Sequence, residues 1–298
     1  MALVAFDLDN TLGFFDHIAP VAHFMSAETL ENGWFRALNP NFYLSPELKE
    51  RMARAEDNFV DLLLERPHLL RLIFRPNLDA IIRCIITNKL QGRIARVCIY
   101  SNTLNTFTMR IATKLIEQVY GAPGLFCAAV DATHPIRAAD YEAMPYGEPL
   151  KTLRVLKGIF RRLCGYPLHI RAKDVIFIDE RHVKHALERY EHEGLTYLKP
   201  SPYFPAVPKS HKKEIMDLMF KALEKEDLLF DIEYFSSSIF RCLKRRSDNN
   251  RIQAIGTFGE LIEFVKDEID LAGTQRVLTF KDDTKEIRRT LLRAFSKI

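Results

Sequence analysis

Two aspartates with one residue between them, Asp7-Leu8-Asp9, stand directly after the apolar run Ala2-Leu3-Val4-Ala5-Phe6. A carboxylate so placed can attack an electrophile such as phosphorus while its neighbour gives or takes the proton. Two further apolar runs end in polar residues of the same usefulness. Val97–Tyr100 leads into Ser101-Asn102-Thr103, and Val175–Ile178 leads into Asp179-Glu180-Arg181. Between these two, Lys151 follows Glu148-Pro149-Leu150 at the start of a predicted helix, with Lys157 and Lys173 as competitors for its role. Asp7 and Asp179 are hard oxygen donors of the kind magnesium takes. Ser101 and Lys151 are suited to holding phosphoryl oxygens, and positioning with charge neutralisation supplies most of the catalysis in phosphoryl transfer. Lys151 would also keep neighbouring carboxylates ionised against their mutual repulsion.

These residues converge only if the runs before them are neighbouring strands. The runs Ala2–Phe6, Val97–Tyr100, Leu125–Val130, Val175–Ile178 and Leu195–Leu198 are continuously apolar rather than alternating. That is the pattern of parallel strands covered on both faces. Helical spacing of apolar residues marks Pro76–Lys89, Leu104–Val119, Leu150–Leu163 and the shorter Val183–Glu191. Strand alternating with helix predicts an α/β fold, a Rossmann-like parallel sheet flanked by helices, which binds ligands at the carboxyl ends of its strands. Two stretches fall outside the alternation. Residues 13–72 form a mainly helical insertion after strand one, a candidate cap. It carries the aromatics Phe14, Phe15, Trp34, Phe35, Phe42 and Tyr43, and a helix opened by Ser45-Pro46-Glu47. Packing the cap is the simpler use of those aromatics; lining a substrate pocket is the other. Residues 206–298 follow a proline-punctuated link and read as a mainly helical C-terminal extension, with helices at 210–226, 258–269 and 285–295. The core is therefore 1–12 with 73–205.

On these motifs the chain resembles the haloacid dehalogenase superfamily of phosphotransferases. Strand-then-D-x-D-x-T is matched by Asp7, Asp9 and Thr11, and strand-then-serine by Ser101. The lysine near a helix start is matched by Lys151, and strand-then-two-acids by Asp179 and Glu180. The resemblance covers 1–12 and 73–200 in the expected order. It implies a magnesium-dependent phosphomonoester phosphatase working through an aspartyl-phosphate. Asp7 would be the nucleophile and Asp9 the acid and base, with Thr11, Ser101, Asn102 and Lys151 on the substrate. Mg2+ would be held by Asp7, Asp179 and the main-chain carbonyl of Asp9. A narrower likeness, carried by Arg75-Pro76-Asn77-Leu78-Asp79 and Ile99–Thr103, is to the NLI-interacting-factor-like small C-terminal-domain phosphatases. Those usually carry glutamate after the first aspartate pair and D-N in the fourth motif, where this chain has Asn10 and Glu180. The substrate class is thus a phosphorylated small molecule or a phosphoprotein. Two other readings stand beside it. One is a non-catalytic module of the same fold that binds a protein partner through 206–298. The other is a related phosphotransferase or nucleic-acid end-processing phosphatase.

The bulk properties narrow the field. The 298 residues are 47% hydrophobic and 28% charged, with a net charge of +4, as in an ordinary globular protein. So small an excess argues neither for nucleic acid nor for a membrane surface. The basic run Arg241–Arg246 reads as a solvated loop. His182 and His185 sit three apart with no third ligand, short of a zinc site. The five cysteines are scattered and odd in number, so neither a zinc site nor a disulfide framework is expected, and a reducing, cytoplasmic setting is. The chain opens on a strand-like run without a basic leader, and no secretory signal or membrane span is expected.

Overall fold

The structure, a computed structural model, describes residues 1–32, 43–138, 151–180, 187–229 and 281–297. It divides into two compact units. The first comprises Met1–Phe15, Arg71–Pro205 and Leu278–Ile298; the second comprises Asp16–Leu70 and Ala206–Val277. The stretch 206–298, set apart in the sequence as one extension, is thus divided between the two units. The reason lies in its last helix, Thr284–Lys297, which packs on the helix Leu78–Leu90 of the first unit.

The first unit is built on a five-stranded parallel sheet. Its strands are β1 (Ala2–Phe6), β2 (Ile94–Tyr100), β3 (Ala128–Val130), β4 (Val175–Ile178) and β5 (Thr196–Leu198), in the order β3-β2-β1-β4-β5. The α/β, Rossmann-like expectation holds. The chain steps outward from β1 through β2 to β3, then returns to the other side of β1 for β4 and β5. The order therefore reverses at β1, and the crevice outside its carboxyl end is where such a sheet takes ligands. Every residue of β1 and β4 is buried, which is why those strands read as unbroken apolar runs. β2 starts three residues before the apolar run does. Arg96 interrupts the pattern, but its guanidinium reaches out to the carbonyls of Cys164 and Ala95, each at 2.8 Å.

The helices Leu78–Leu90, Thr106–Val119 and Leu153–Gly158 join successive strands. The last continues as a π-helical turn, Ile159–Leu163, so the predicted helix over 150–163 is shorter and ends wider than its periodicity suggests. Where a helix was predicted over 183–191, residues 188–193 form a 3₁₀ turn. The other part of that prediction, together with Trp34, Phe35, Phe42, His182, His185, the 241–246 run and the 258–269 helix, lies outside the described residues. Among the described residues no helix is long and apolar enough to cross a membrane.

The cysteines depart from expectation. Cys127, just before β3, and Cys164, just after the π turn, are disulfide-bonded with Cα atoms 5.0 Å apart. They are 37 residues apart in sequence. Only the packing of that turn against β3 brings them together, so spacing carried no sign of it. The expectation of a reducing compartment loses its support with this bond. Cys84 and Cys98 are buried thiols.

In the second unit the helix Pro46–Leu64 starts where Ser45-Pro46 places it, with Ser45 Oγ accepting from Leu48 N at 3.1 Å. It packs on Lys209–Glu224. Arg51 donates to the carbonyls of Glu226 and Asp227, closing the otherwise open end of that helix.

Candidate active site

Three strand ends of the first unit, those of β1, β2 and β4, and one helix start supply the site. Past β1 the chain turns at once. Asn10 sits in the left-handed region at φ 62°, and its amide donates to Gly13 O. Asparagine tolerates that conformation better than most residues. Gly13 is demanded by a close approach, because a Cβ there would lie 2.3 Å from Ile73 O. Phe14 N in turn donates to the same carbonyl at 2.7 Å. The loop from Asp7 to Gly13 is therefore held by backbone contacts, and Asp7 faces inward at its start.

Asp7 and Asp179 are both bound by Lys151. Its ammonium lies 2.6 Å from Asp7 Oδ1 and 2.7 Å from Asp179 Oδ2, and all three residues are buried. The three come from positions 7, 151 and 179, which only the topology brings together. Of the lysines weighed in the sequence, Lys151 is the one at this centre. Burial on its own would push the ammonium pKa down; Asp7 and Asp179 outweigh it and hold the pKa above the ordinary lysine value. Thr152, next in sequence, caps the helix Leu153–Gly158 by accepting from Val155 N, and its own amide donates to the Tyr100 hydroxyl. That cap fixes where Lys151 leaves the backbone.

Glu180 completes the acidic group. Asp7, Asp179 and Glu180 each offer a carboxylate oxygen within 4.8 Å of the others. Burial first, then the charges of Asp7 and Asp179, push the Glu180 pKa up to about 8 from 4.5. Thr11 ties this acid to the β1 loop: its hydroxyl donates to Glu180 Oε2 and accepts from Glu180 N at 3.0 Å. The sequence suggested Thr11 as a substrate contact; here its proton is engaged by Glu180. Asp9 is half-buried, and its backbone bridges to Gly13.

The β2 end supplies Ser101 and Asn102. Ser101 Oγ accepts from Thr103 N at 3.3 Å and keeps its proton to donate. Asn102 Nδ2 is buried without an acceptor among the described residues. Beneath them lies a residue the sequence reading did not single out. Arg137 is fully buried and donates to Ser101 O at 2.6 Å and to Asn102 Oδ1 at 2.8 Å, with its guanidinium over the Tyr100 ring. It stands in a short 3₁₀ turn after β3, where no periodicity points to it. Asp131, at the β3 end, was also passed over. It binds Thr106 and Thr133, and the strand-end rule applied to the other strands would have found it.

Even with a proton on Glu180, two buried carboxylates against one ammonium leave a surplus of negative charge. Among the described residues this is the set that could hold a metal ion, with oxygen donors that suit a hard divalent cation. The orphaned Asn102 amide and the Ser101 hydroxyl are donors suited to an oxyanion. The arrangement can present a carboxylate nucleophile next to a cation and a proton carrier.

No family model matches the chain, and no curated protein does. Among solved structures it is similar to an L-2-haloacid dehalogenase from Xanthobacter autotrophicus. The identity is 17%, over 75% of this chain and 88% of that one, at a TM-score of 0.30. At that score the likeness carries no argument, and the reading of the site rests on its geometry.

Proposed function

We propose that the protein is a magnesium-dependent phosphomonoester phosphatase of the haloacid dehalogenase type, working through an aspartyl-phosphate. The observation that carries this reading is the buried bridge from Lys151 to both Asp7 and Asp179 beside Glu180. Lys151 holds Asp7 Oδ1, which leaves Oδ2 to attack phosphorus. The bond to the leaving alcohol breaks as Asp9 gives it a proton. Asp9 then takes a proton from water, whose oxygen attacks the phosphoryl group and frees Asp7 and inorganic phosphate. Ser101, Asn102 and Lys151 hold the phosphoryl oxygens throughout, and Arg137 keeps the Ser101-Asn102 segment in place from below. Asp7, Asp179 and the Asp9 carbonyl would hold magnesium, with Glu180 as a further donor. The ion's chemistry is charge neutralisation at the phosphoryl oxygens.

The test is release of phosphate from an aryl phosphate with magnesium present, followed by a screen of phosphorylated metabolites and phosphopeptides. Turnover lost in the near-isosteric Asp7→Asn variant supports the reading. No turnover in the wild type, or turnover that Asp7→Asn leaves unchanged, refutes it.

A further inference from the structure

Away from the carboxylates, the first unit holds a second place built for a charged ligand. The helix Leu153–Gly158, its π-helical continuation and Tyr190 line an open cleft of about 440 Å³. Arg154, Lys157, Arg161 and Arg162 line it, and among the described residues none of its lining is acidic. Among the described residues none of the four forms an ion pair; the nearest polar partner is His169, 3.5 Å from Arg161. The volume lies in the range of small-molecule sites.

Ordinary helix electrostatics accounts for only half of this. Cations in a last turn are favoured by the helix dipole, which covers Arg161 and Arg162. Arg154 is in the first turn, where the same dipole opposes it. Arg154 with Lys157, and Lys157 with Arg161, are like charges at helical neighbour spacing, and such pairs weaken a helix. Among the described residues no acid lines this face, and a bound anion would offset the repulsion. The end of the π-helical turn is pinned. The disulfide from Cys127 pins Cys164, the residue after the π turn, and Arg96 binds the Cys164 carbonyl at 2.8 Å.

We propose that this cleft binds a compact polyphosphate, with the chemistry of a nucleotide's phosphate tail or of inorganic polyphosphate. Three arginines offer paired donors to phosphate oxygens, and Lys157 adds a point charge. Tyr190 offers a ring face that a nucleobase could use and inorganic polyphosphate could not. The site shares no residue with the carboxylate centre and stands whether or not that centre is a phosphatase.

The experiment is titration calorimetry of the full chain in chelator with inorganic tripolyphosphate, adenosine triphosphate and orthophosphate. Tripolyphosphate is expected to bind, and orthophosphate much more weakly. The double variant Arg154→Gln/Lys157→Gln should lose roughly 10- to 100-fold per cation removed, while Lys285→Gln on a remote helix loses nothing. Tighter binding of the nucleotide, with the excess lost in Tyr190→Ala, identifies a nucleotide; equal binding identifies the polyphosphate tail alone. The unliganded double variant should melt no lower than wild type. Absent binding, binding that the double variant leaves intact, or a double variant that melts lower overturns the proposal. Binding at the carboxylate centre would appear as the intact case.

Discussion

Removing the ammonium of Lys151 tests the centre most directly. In Lys151→Met the side chain keeps its length and loses its charge. The ammonium now touches Asp7 Oδ1 at 2.6 Å and Asp179 Oδ2 at 2.7 Å. At an effective dielectric of about 20 each contact is worth roughly 6 kcal/mol before desolvation. Burying three charges takes back most of that. What remains measurable is the cost of leaving two carboxylates without their cation, about 3–5 kcal/mol. For a unit of this size that is a fall in Tm of roughly 6–20 °C. Scanning calorimetry in chelator at pH 7 measures it. The double variant Lys151→Met/Asp179→Asn has one fewer orphaned charge and should recover several degrees. Millimolar magnesium should raise the melting of the single variant more than that of wild type, since the cation then supplies the missing positive charge. A single variant within about 1 kcal/mol of wild type, or a double variant that melts lower still, would show that the charges are not coupled as the distances imply.

Three further outcomes are expected. In chelator, stability should fall as pH rises from 7 to 8 by about 1 kcal/mol, because Glu180 keeps its proton in the folded chain up to about 8 and loses it near 4.5 when unfolded. His17, held down to about 3 in place of 6.5 by burial and by Lys212, acts in the opposite sense, but its contribution is complete before that window opens. Calorimetry with and without magnesium checks this, and a flat profile in chelator counts against it. Reducing Cys127–Cys164 releases a closure of 37 residues and should cost about 4 kcal/mol, read as a lower Tm in dithiothreitol that Cys127→Ser reproduces. Arg137→Lys keeps the charge but loses the forked contact to Ser101 and Asn102. It should lower kcat/KM for an aryl phosphate by about 100-fold through misplacement of that segment, and an unchanged KM and kcat would deny Arg137 a positioning role.

The sheet was legible because its strands are buried on both faces, so Ala2–Phe6 and Val175–Ile178 announce themselves as apolar runs with a polar residue at the end. The same rule found Asp7, Ser101 and Asp179, since a parallel sheet exposes its strand ends to one crevice. What escaped were groups whose meaning depends on a partner far away in the chain. Arg137 looks like any arginine in a proline-containing loop until Ser101 and Asn102 are seen to lie above it. Arg75 read as part of an Arg-Pro segment. In the structure its guanidinium is buried between Ser201 O at 2.7 Å and Asp283 Oδ1 at 2.6 Å, and Asp283 also accepts from Ser201 N. A buried ion pair spanning 208 residues leaves no periodic trace, because neither partner belongs to a repeating face.

Glu180 shows how such a pairing changes the chemistry of a motif residue. Read alone, it is an acid one methylene longer than the Asp179 before it. In place, the extra length carries its carboxylate to the Thr11 hydroxyl while its own amide donates to the same oxygen, joining the β4 end to the β1 loop. That position also sets it beside Asp7 and Asp179, whose charges, added to burial, hold a proton on it. The proton does in the free protein part of what a divalent cation would do in the loaded one: it lowers the charge of the cluster. A cation drawn to all three carboxylates must then compete with that proton, so magnesium should bind more tightly as pH rises towards 8. A shorter side chain at this position would not reach the Thr11 hydroxyl, leaving the Glu180 amide and the β1–β4 pairing to join the two strand ends.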